Sequence, residues 1–209
     1  HQMDGPLPAD HVLGVGQART SGIRREVVTD IEATTDSVRK AVKEAELMAG
    51  VPVERLYTGI AGEHIHGRSS SGVVAVGGDE IGYRDVDRVH EVARAIVVPA
   101  DREVLHAIPQ EYIVDAQGGI RDPVGMAGTR LEAEVFIVTG AASAAQNIRK
   151  SVARAGYAVE ELVLEPIASS MAVLSEDEIE IGVALVELGG GTTDVSIFHE
   201  RKIRHLASL

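Results

Sequence analysis

The sequence predicts an α/β protein into which a smaller α+β unit is inserted. Three observations predict it. Only 3% of the residues are aromatic while 44% are hydrophobic, so the interior must be built from Val, Ile, Leu and Ala, as in β-branched sheets under Ala-rich helices. Segments of strand and helix periodicity alternate up to about residue 62 and again beyond about residue 140. Between these stretches the texture shifts to short strands punctuated by Ser, Gly and Pro.

Taken in order, His1–Asp10 is polar with two prolines and reads as a loop, followed by a short strand at Val12–Gly16 and a turn through Ser21 and Gly22. Ile31–Ala49 is a helix: Val38, Ala41, Val42, Ala45 and Met48 recur at three- and four-residue spacing. Thr29 and Glu32 have the spacing of a capping box, and Gly50 with Pro52 supplies the stop. Arg55–Gly62 reads as a strand. Then come a turn at Ser69–Gly72, a strand at Val73–Val76, a turn at Gly77–Gly82 and an amphipathic helix at Arg84–Ile96. Strands follow at Glu103–Ile108, continuing into Tyr112–Val114, and at Arg130–Val138, with a punctuated loop, Gln117–Gly128, between them. Residues His66–Thr139 thus form the inserted α+β unit. The alternation resumes with a helix from Ser143 to Ala155, a strand at Val159–Leu164 and a helix beginning at Ala168. An acidic turn, Ser175–Glu180, leads into a strand at Ile181–Leu188, a second at Val195–Phe198 and a third still under way at Leu209.

Composition excludes several functions. With 209 residues the chain can bury a real core as one large domain or two small ones. A formal charge of −12 argues against nucleic acid as a partner, since phosphate contacts need clustered Lys and Arg. No run of about 18 apolar residues could span a membrane, and no segment has the charged start and apolar middle of a secretory signal. The absence of cysteine rules out disulfides, thiolate metal sites and a catalytic thiol, and fits a reducing cytoplasm.

The chemistry is concentrated where a strand meets Gly189-Gly190-Gly191-Thr192-Thr193-Asp194. A plain hairpin tip uses two turn residues; three glycines cost backbone entropy and add no packing. Their bare N–H groups can cradle a phosphate, Thr192 and Thr193 add hydroxyls, and Glu187 and Asp194 place carboxylates that could hold a phosphate-bound Mg²⁺ directly or through water. Pattern alone leaves open a glycine-rich turn with no ligand. No Gly-Lys-Ser/Thr follows, so the loop is not a Walker A motif, and no helix follows it as in a dinucleotide-binding turn. His64 and His66, two apart, would share a face of a strand, without further ligands nearby to complete a metal site. His199 and His205 read as polar strand or turn residues, and Ser169-Ser170 lacks the Gly-x-Ser-x-Gly elbow of a hydrolase.

Val186–Asp194 resembles the second phosphate loop of the actin/Hsp70/sugar-kinase superfamily, and Glu165-Pro166-Ile167-Ala168-Ser169-Ser170 resembles its first connecting motif at the expected separation. Ala45–Ala49, Gly62–Ile65, Val104–Tyr112, Asp122–Met126 and the helix around Asn147-Ile148 narrow the resemblance to the FtsA family and extend it over nearly the whole chain from about Val12. That resemblance implies an actin-like (ribonuclease H-like) ATPase fold. Residues 1–65 and 140–175 would form subdomain 1A without its first strands, 66–139 an inserted 1C (SHS2) subdomain, and 176–209 the start of subdomain 2A. It implies that Gly189, Gly190, Gly191, Thr192 and Thr193 wrap the phosphates of ATP. Glu187 stands where the superfamily usually has Asp, beside the Mg²⁺ hydration shell, and its extra methylene moves the carboxylate by about one bond length. Glu165 would orient an attacking water, or else serve as a hinge-capping carboxylate. The first phosphate loop is expected before His1. The adenine-binding segment, the FtsZ-docking subdomain and a membrane-targeting amphipathic helix are expected after Leu209.

The function so implied is that of a cytoplasmic, membrane-associated division protein that binds ATP, self-associates into filaments and tethers FtsZ to the inner membrane face. It would recruit other division proteins through residues 66–139, with ATP hydrolysis at most slow. A working ATPase of the Hsp70 or sugar-kinase type, and an actin-like adaptor for pili or microcompartments, are the alternatives; the inserted unit and Ile108–Tyr112 are foreign to the first of these.

Overall fold

The structure, a computed structural model, describes residues 12–209; the expected loop at His1–Asp10 lies outside the described residues. The chain divides into two compact units. One takes in the described residues up to Thr58 together with Gln146–Glu161, and the other Gly59–Ala145 with Leu162–Leu209.

In the first unit a tight hairpin of β1 (Ile23–Arg24) and β2 (Val27–Val28) precedes α1 (Ile31–Ala49). Asp30 caps α1, its carboxylate accepting from the Ala33 N–H at 3.0 Å. The capping box expected of Thr29 and Glu32 does not form. Thr29 instead donates its hydroxyl to the Gly22 carbonyl, and Glu32 pairs with Arg154. Gly50 ends the helix in the left-handed region at φ 72°. Val38 and Val42 of the predicted stripe pack with Val53 and Leu56 against Val152, Ala155 and Tyr157, whereas Met48 at its end is exposed. The strand expected at Val12–Gly16 does not form: among the described residues this segment pairs with no strand and lies along α1. A Cβ on Gly14 would stand 2.4 Å from the Ala45 carbonyl oxygen and one on Gly16 1.8 Å from that of Ala41, so both glycines serve close approach to a helix.

β3 (Arg55–Ile60) pairs with β8 (Ala158–Leu164) in a two-stranded sheet. The second unit is built around a four-stranded antiparallel sheet ordered β4 (His66–Ala75), β7 (Arg130–Ala141), β5 (Arg102–Val114), β6 (Gln117–Ile120). The predicted turn at Ser69–Gly72 is instead the middle of β4, paired residue for residue with Phe136–Ala133 of β7. Local composition favoured a turn there, but the buried central strand beside it decides the backbone. β6 likewise occupies part of the expected Gln117–Gly128 loop, turned back on β5 through Asp115 and Ala116, both at positive φ. Helix α2 (Tyr83–Arg94) covers one face, where Leu131, Ala133, Val135 and Ile137 of β7 meet Val89 and Ala93. Gly72 lets α2 lie close: a Cβ there would be 2.3 Å from the Val89 carbonyl oxygen.

β7 runs straight into α3 (Ala142–Ala155), and β8 into α4 (Glu165–Val173). Glu165 is thus the first helical residue rather than part of a loop before a helix at Ala168. The expected acidic turn is a short helix, α5 (Glu176–Ile181), because Ser175 and Glu178 form a reciprocal capping box. The chain continues into a three-stranded antiparallel sheet of β9 (Val183–Leu188), β10 (Thr193–His199) and β11 (Lys202–Ser208), with β10 central. Its inner face supplies Phe198 and Ile203, which pack with Phe136, Val138 and Leu164 in a second core.

Candidate functional site

The glycine hairpin forms as predicted, with Leu188 opposite Thr193 and Glu187 opposite Asp194. The tip is closed by the Gly189 N–H donating to the Thr192 carbonyl at 3.0 Å. None of Gly189, Gly190 and Gly191 has positive φ, and nothing lies within 4 Å of where a Cβ on Gly190 would be. The turn itself therefore does not require glycine at 190; the bare backbone there faces open space that a ligand can enter. Gly189, Gly190 and Gly191 are exposed, Thr193 is half-buried and Thr192 is buried within the hairpin.

Behind the tip, alternation along the strands puts Glu187 and Asp194 on the inner face, directly opposite each other across the ladder. Ser208 of β11 is the partner of Asp194 on its other side. Like charges in such a cross-strand pair repel, and among the described residues neither carboxylate has a basic partner. Ser169 of α4 donates its hydroxyl to Glu187 Oε1. The other oxygen, Glu187 Oε2, is buried without a hydrogen bond, as is Ser196 Oγ one row further along β10. An acceptor left this way is costly unless a cation or its bound water meets it. The residues present therefore fit a hydrated divalent ion. No group of three or more His, Asp or Glu side chains converges on a metal position among the described residues, so phosphate and water oxygens would complete its shell.

Glu165 sits four residues before Ser169, on the same face of α4. Its neighbour Pro166 and Asp194 line one small cavity with Ala61, Gly62 and Ser208. The carboxylate of Glu165 lies over Gly59 in β3, with Oε1 2.5 Å from where a Cβ on that glycine would stand. The structure thus gathers Glu187, Asp194 and the glycine tip on the hairpin, and places Glu165 on the helix that holds Glu187 through Ser169. Sequence reasoning missed Ser169. The signal is its i,i+4 spacing from Glu165 within the connecting motif.

The histidine pair is not as expected. His64 lies in the turn before β4 while His66 begins that strand, so the two do not share a strand face. His64 accepts from the Ala141 N–H through Nδ1, and burial, with Arg102 and His66 nearby, holds its imidazole below the usual histidine range.

Comparison with known proteins agrees with this architecture. The family described as the SHS2 domain inserted in FtsA matches residues 62–139. The cell division protein FtsA of Pseudomonas aeruginosa is 47% identical over 204 residues, covering 98% of this chain and 48% of that protein. FtsA of Escherichia coli is 38% identical over 195 residues, covering 93% of this chain and 46% of its own length. The chain therefore spans about half the length of these curated relatives. A solved PilM–PilN type IV pilus biogenesis complex superposes with a TM-score of 0.60 at 14% identity, covering 92% of this chain and 52% of that one, which is a likeness of fold alone. The α/β architecture is actin-like, with the SHS2 domain inserted in it. At 38–47% identity to division proteins over 93–98% of its length, the chain belongs to the FtsA family.

Proposed function

We propose that this chain carries half of an ATP site in an actin-like division protein that polymerises and links FtsZ filaments to the membrane. The observation that carries the nucleotide reading is the facing pair Glu187 and Asp194, one oxygen of it buried without a partner, beneath a glycine tip open to solvent. Backbone N–H groups of Gly190 and Gly191 and the Thr193 hydroxyl bind phosphate oxygens, while the Gly189 N–H closes the tip on the Thr192 carbonyl. Glu187 and Asp194 would hold a hydrated Mg²⁺, with Ser169 fixing the Glu187 rotamer, and Glu165 orients a water. Bound Mg²⁺ would neutralise phosphate charge and relieve the repulsion between the two carboxylates. Residues 66–139 act as the inserted 1C subdomain and as a surface for self-association and for other division proteins, between a 1A part (1–65 and 140–175) and a 2A part (176–209). No helix among the described residues is long and apolar enough to cross a membrane.

The test is nucleotide binding by the full-length protein with and without Mg²⁺, followed by sedimentation of filaments on lipid vesicles. Glu187→Ala is expected to remove the Mg²⁺ dependence and to weaken binding about tenfold or more, the scale of one lost charge-assisted contact. Binding unchanged in Glu187→Ala, or a protein that stays monomeric with ATP and vesicles present, overturns the respective part of the reading.

A further inference from the structure

We infer that the inserted domain sets the position of Glu165, with His106 and Gly59 as its positioning residues; this rests on the ATP reading above. The chain of contacts begins with a bulge in β5. Its register against β7 slips between Val104 and His106, leaving Leu105 as the extra residue. Leu105 packs where a Cβ on Gly140 would stand, at 2.7 Å, so glycine at 140 makes room for the bulge. The bulge turns the His106 imidazole toward the end of β8, where the Leu164 N–H donates to Nε2 at 2.9 Å. As an acceptor there, His106 is neutral and carries its proton on Nδ1.

That N–H has few other options. Leu164 is the N-cap of α4, makes no side-chain capping bond and is 1% exposed. In a capping box the third helical residue reaches back to this N–H; here that residue is Ile167, which cannot. Among the described residues β8 pairs with β3 and with no second strand. His106 therefore supplies, from a distant strand, the bond that fixes where α4 begins.

Glu165 is the next residue. Its Oε1, Cγ and Cδ lie 2.5, 2.9 and 3.1 Å from where a Cβ on Gly59 would stand, and Gly59 has no positive φ to demand glycine. Any larger residue at 59 must push the carboxylate aside. The backbone of Glu165 is thus held through His106, and its side chain is given room by Gly59. Because Ser169 follows on the same helical face, a shift of α4 also disturbs Glu187.

The experiment measures ATP turnover by the full-length protein in Glu165→Gln, His106→Ala, His106→Gln and Gly59→Ala, together with amide exchange at Leu164. His106→Ala is expected to lower kcat about tenfold or more with KM little changed, the effect of misplacing a reacting group. It is also expected to speed exchange of the Leu164 amide about tenfold, as a freed N–H should. His106→Gln, whose side-chain oxygen accepts in the place of Nε2, restores both. Gly59→Ala lowers kcat with the Leu164 amide still protected, since it moves the side chain and not the bond. If Glu165→Gln abolishes turnover while His106→Ala leaves kcat intact, the positioning role is overturned and the ATP reading stands. If Glu165→Gln leaves turnover unchanged, Glu165 has no part in hydrolysis and the inference falls with that role, while the phosphate and Mg²⁺ site is judged separately by nucleotide binding in Glu187→Ala.

Discussion

In the four-stranded sheet, Leu131, Ala133, Val135 and Ile137 are sealed under α2, and Phe136 and Val138 are buried on the opposite face. In the three-stranded sheet the inner face is packed, but the outer face leaves Val186 at 51%, Leu188 at 82% and Ile197 at 38% exposure. Polar satisfaction divides the same way. Among the described residues no buried side-chain N or O atom on β4–β7 lacks a hydrogen bond, whereas Glu187 Oε2, Ser196 Oγ and Ser208 Oγ on β9–β11 do. The first sheet is a completed scaffold. The second keeps paired carboxylates, bare backbone and uncovered apolar surface, which stability alone would remove and ligand binding can use.

The sharpest way to break this comparison is to open the completed sheet. Ile137 is fully buried, so Ile137→Ala should lower unfolding free energy by about 2–5 kcal/mol, read from urea denaturation. Leu188→Ala, at an exposed site, should stay within about 0.5 kcal/mol. Equal losses at the two positions would show that the hairpin sheet is as complete as the other. Gly72→Ala comes next. Its Cβ would press on the α2 backbone at Val89, and a helix cannot yield there as a flexible side chain would, so a loss of about 1–3 kcal/mol is expected.

The two sheets are joined by a small ionic cluster whose removal sharpens the comparison. Glu111 of β5 and Glu134 of β7 are direct cross-strand partners, and Lys202 of β11 bridges both. Beside them, Gln110 accepts from the Ile203 N–H at 2.7 Å. This lysine makes the like-charged pair tolerable, which is what Glu187 and Asp194 lack. The hydrogen bond from Lys202 holds the Glu111 carboxyl below its ordinary value of 4.5. Burial pulls Lys202 down, but its bonds to the two glutamates outweigh this and raise it above its ordinary 10.5. Glu111 therefore stabilises the fold above pH 4.5 and loses that contribution as pH falls through its lowered value. Lys202 contributes below pH 10.5 and loses it as pH rises through its raised value. Lys202→Met should cost about 1–2 kcal/mol at neutral pH, the deficit shrinking outside that window on both sides. A deficit flat from pH 3 to 11 would mean that only the stem of Lys202 packs there.

How much of this was legible in the sequence depends on the range of the forces involved. α1 was readable to the residue because its stripe, Gly50 and Pro52 are local signals. The hairpin and its glycine tip were readable for the same reason. Ser69–Gly72 and Gln117–Ile120 were misread because their partners on β7 and β5 override local turn chemistry. In the candidate site, Glu165, Glu187 and Asp194 announce themselves by motif. Gly59 and His106 do not, since their roles exist only once strands about 60 to 110 residues apart in sequence converge on the start of α4.

The smallest expected effect is also the most discriminating. Glu187→Gln keeps the shape of the side chain and an oxygen for Ser169 while removing one of two facing charges. In an ordinary buried network such a change destabilises; here it should leave stability within about 0.5 kcal/mol or raise it slightly, because cross-strand repulsion with Asp194 disappears. The same substitution at Glu111, whose charge is held by Lys202, should be destabilising. Urea denaturation of both variants without nucleotide or Mg²⁺ compares them directly. A clear loss of stability in Glu187→Gln would mean that its charge already serves the fold, and the contrast between a finished sheet and one left open for a cation would not survive it.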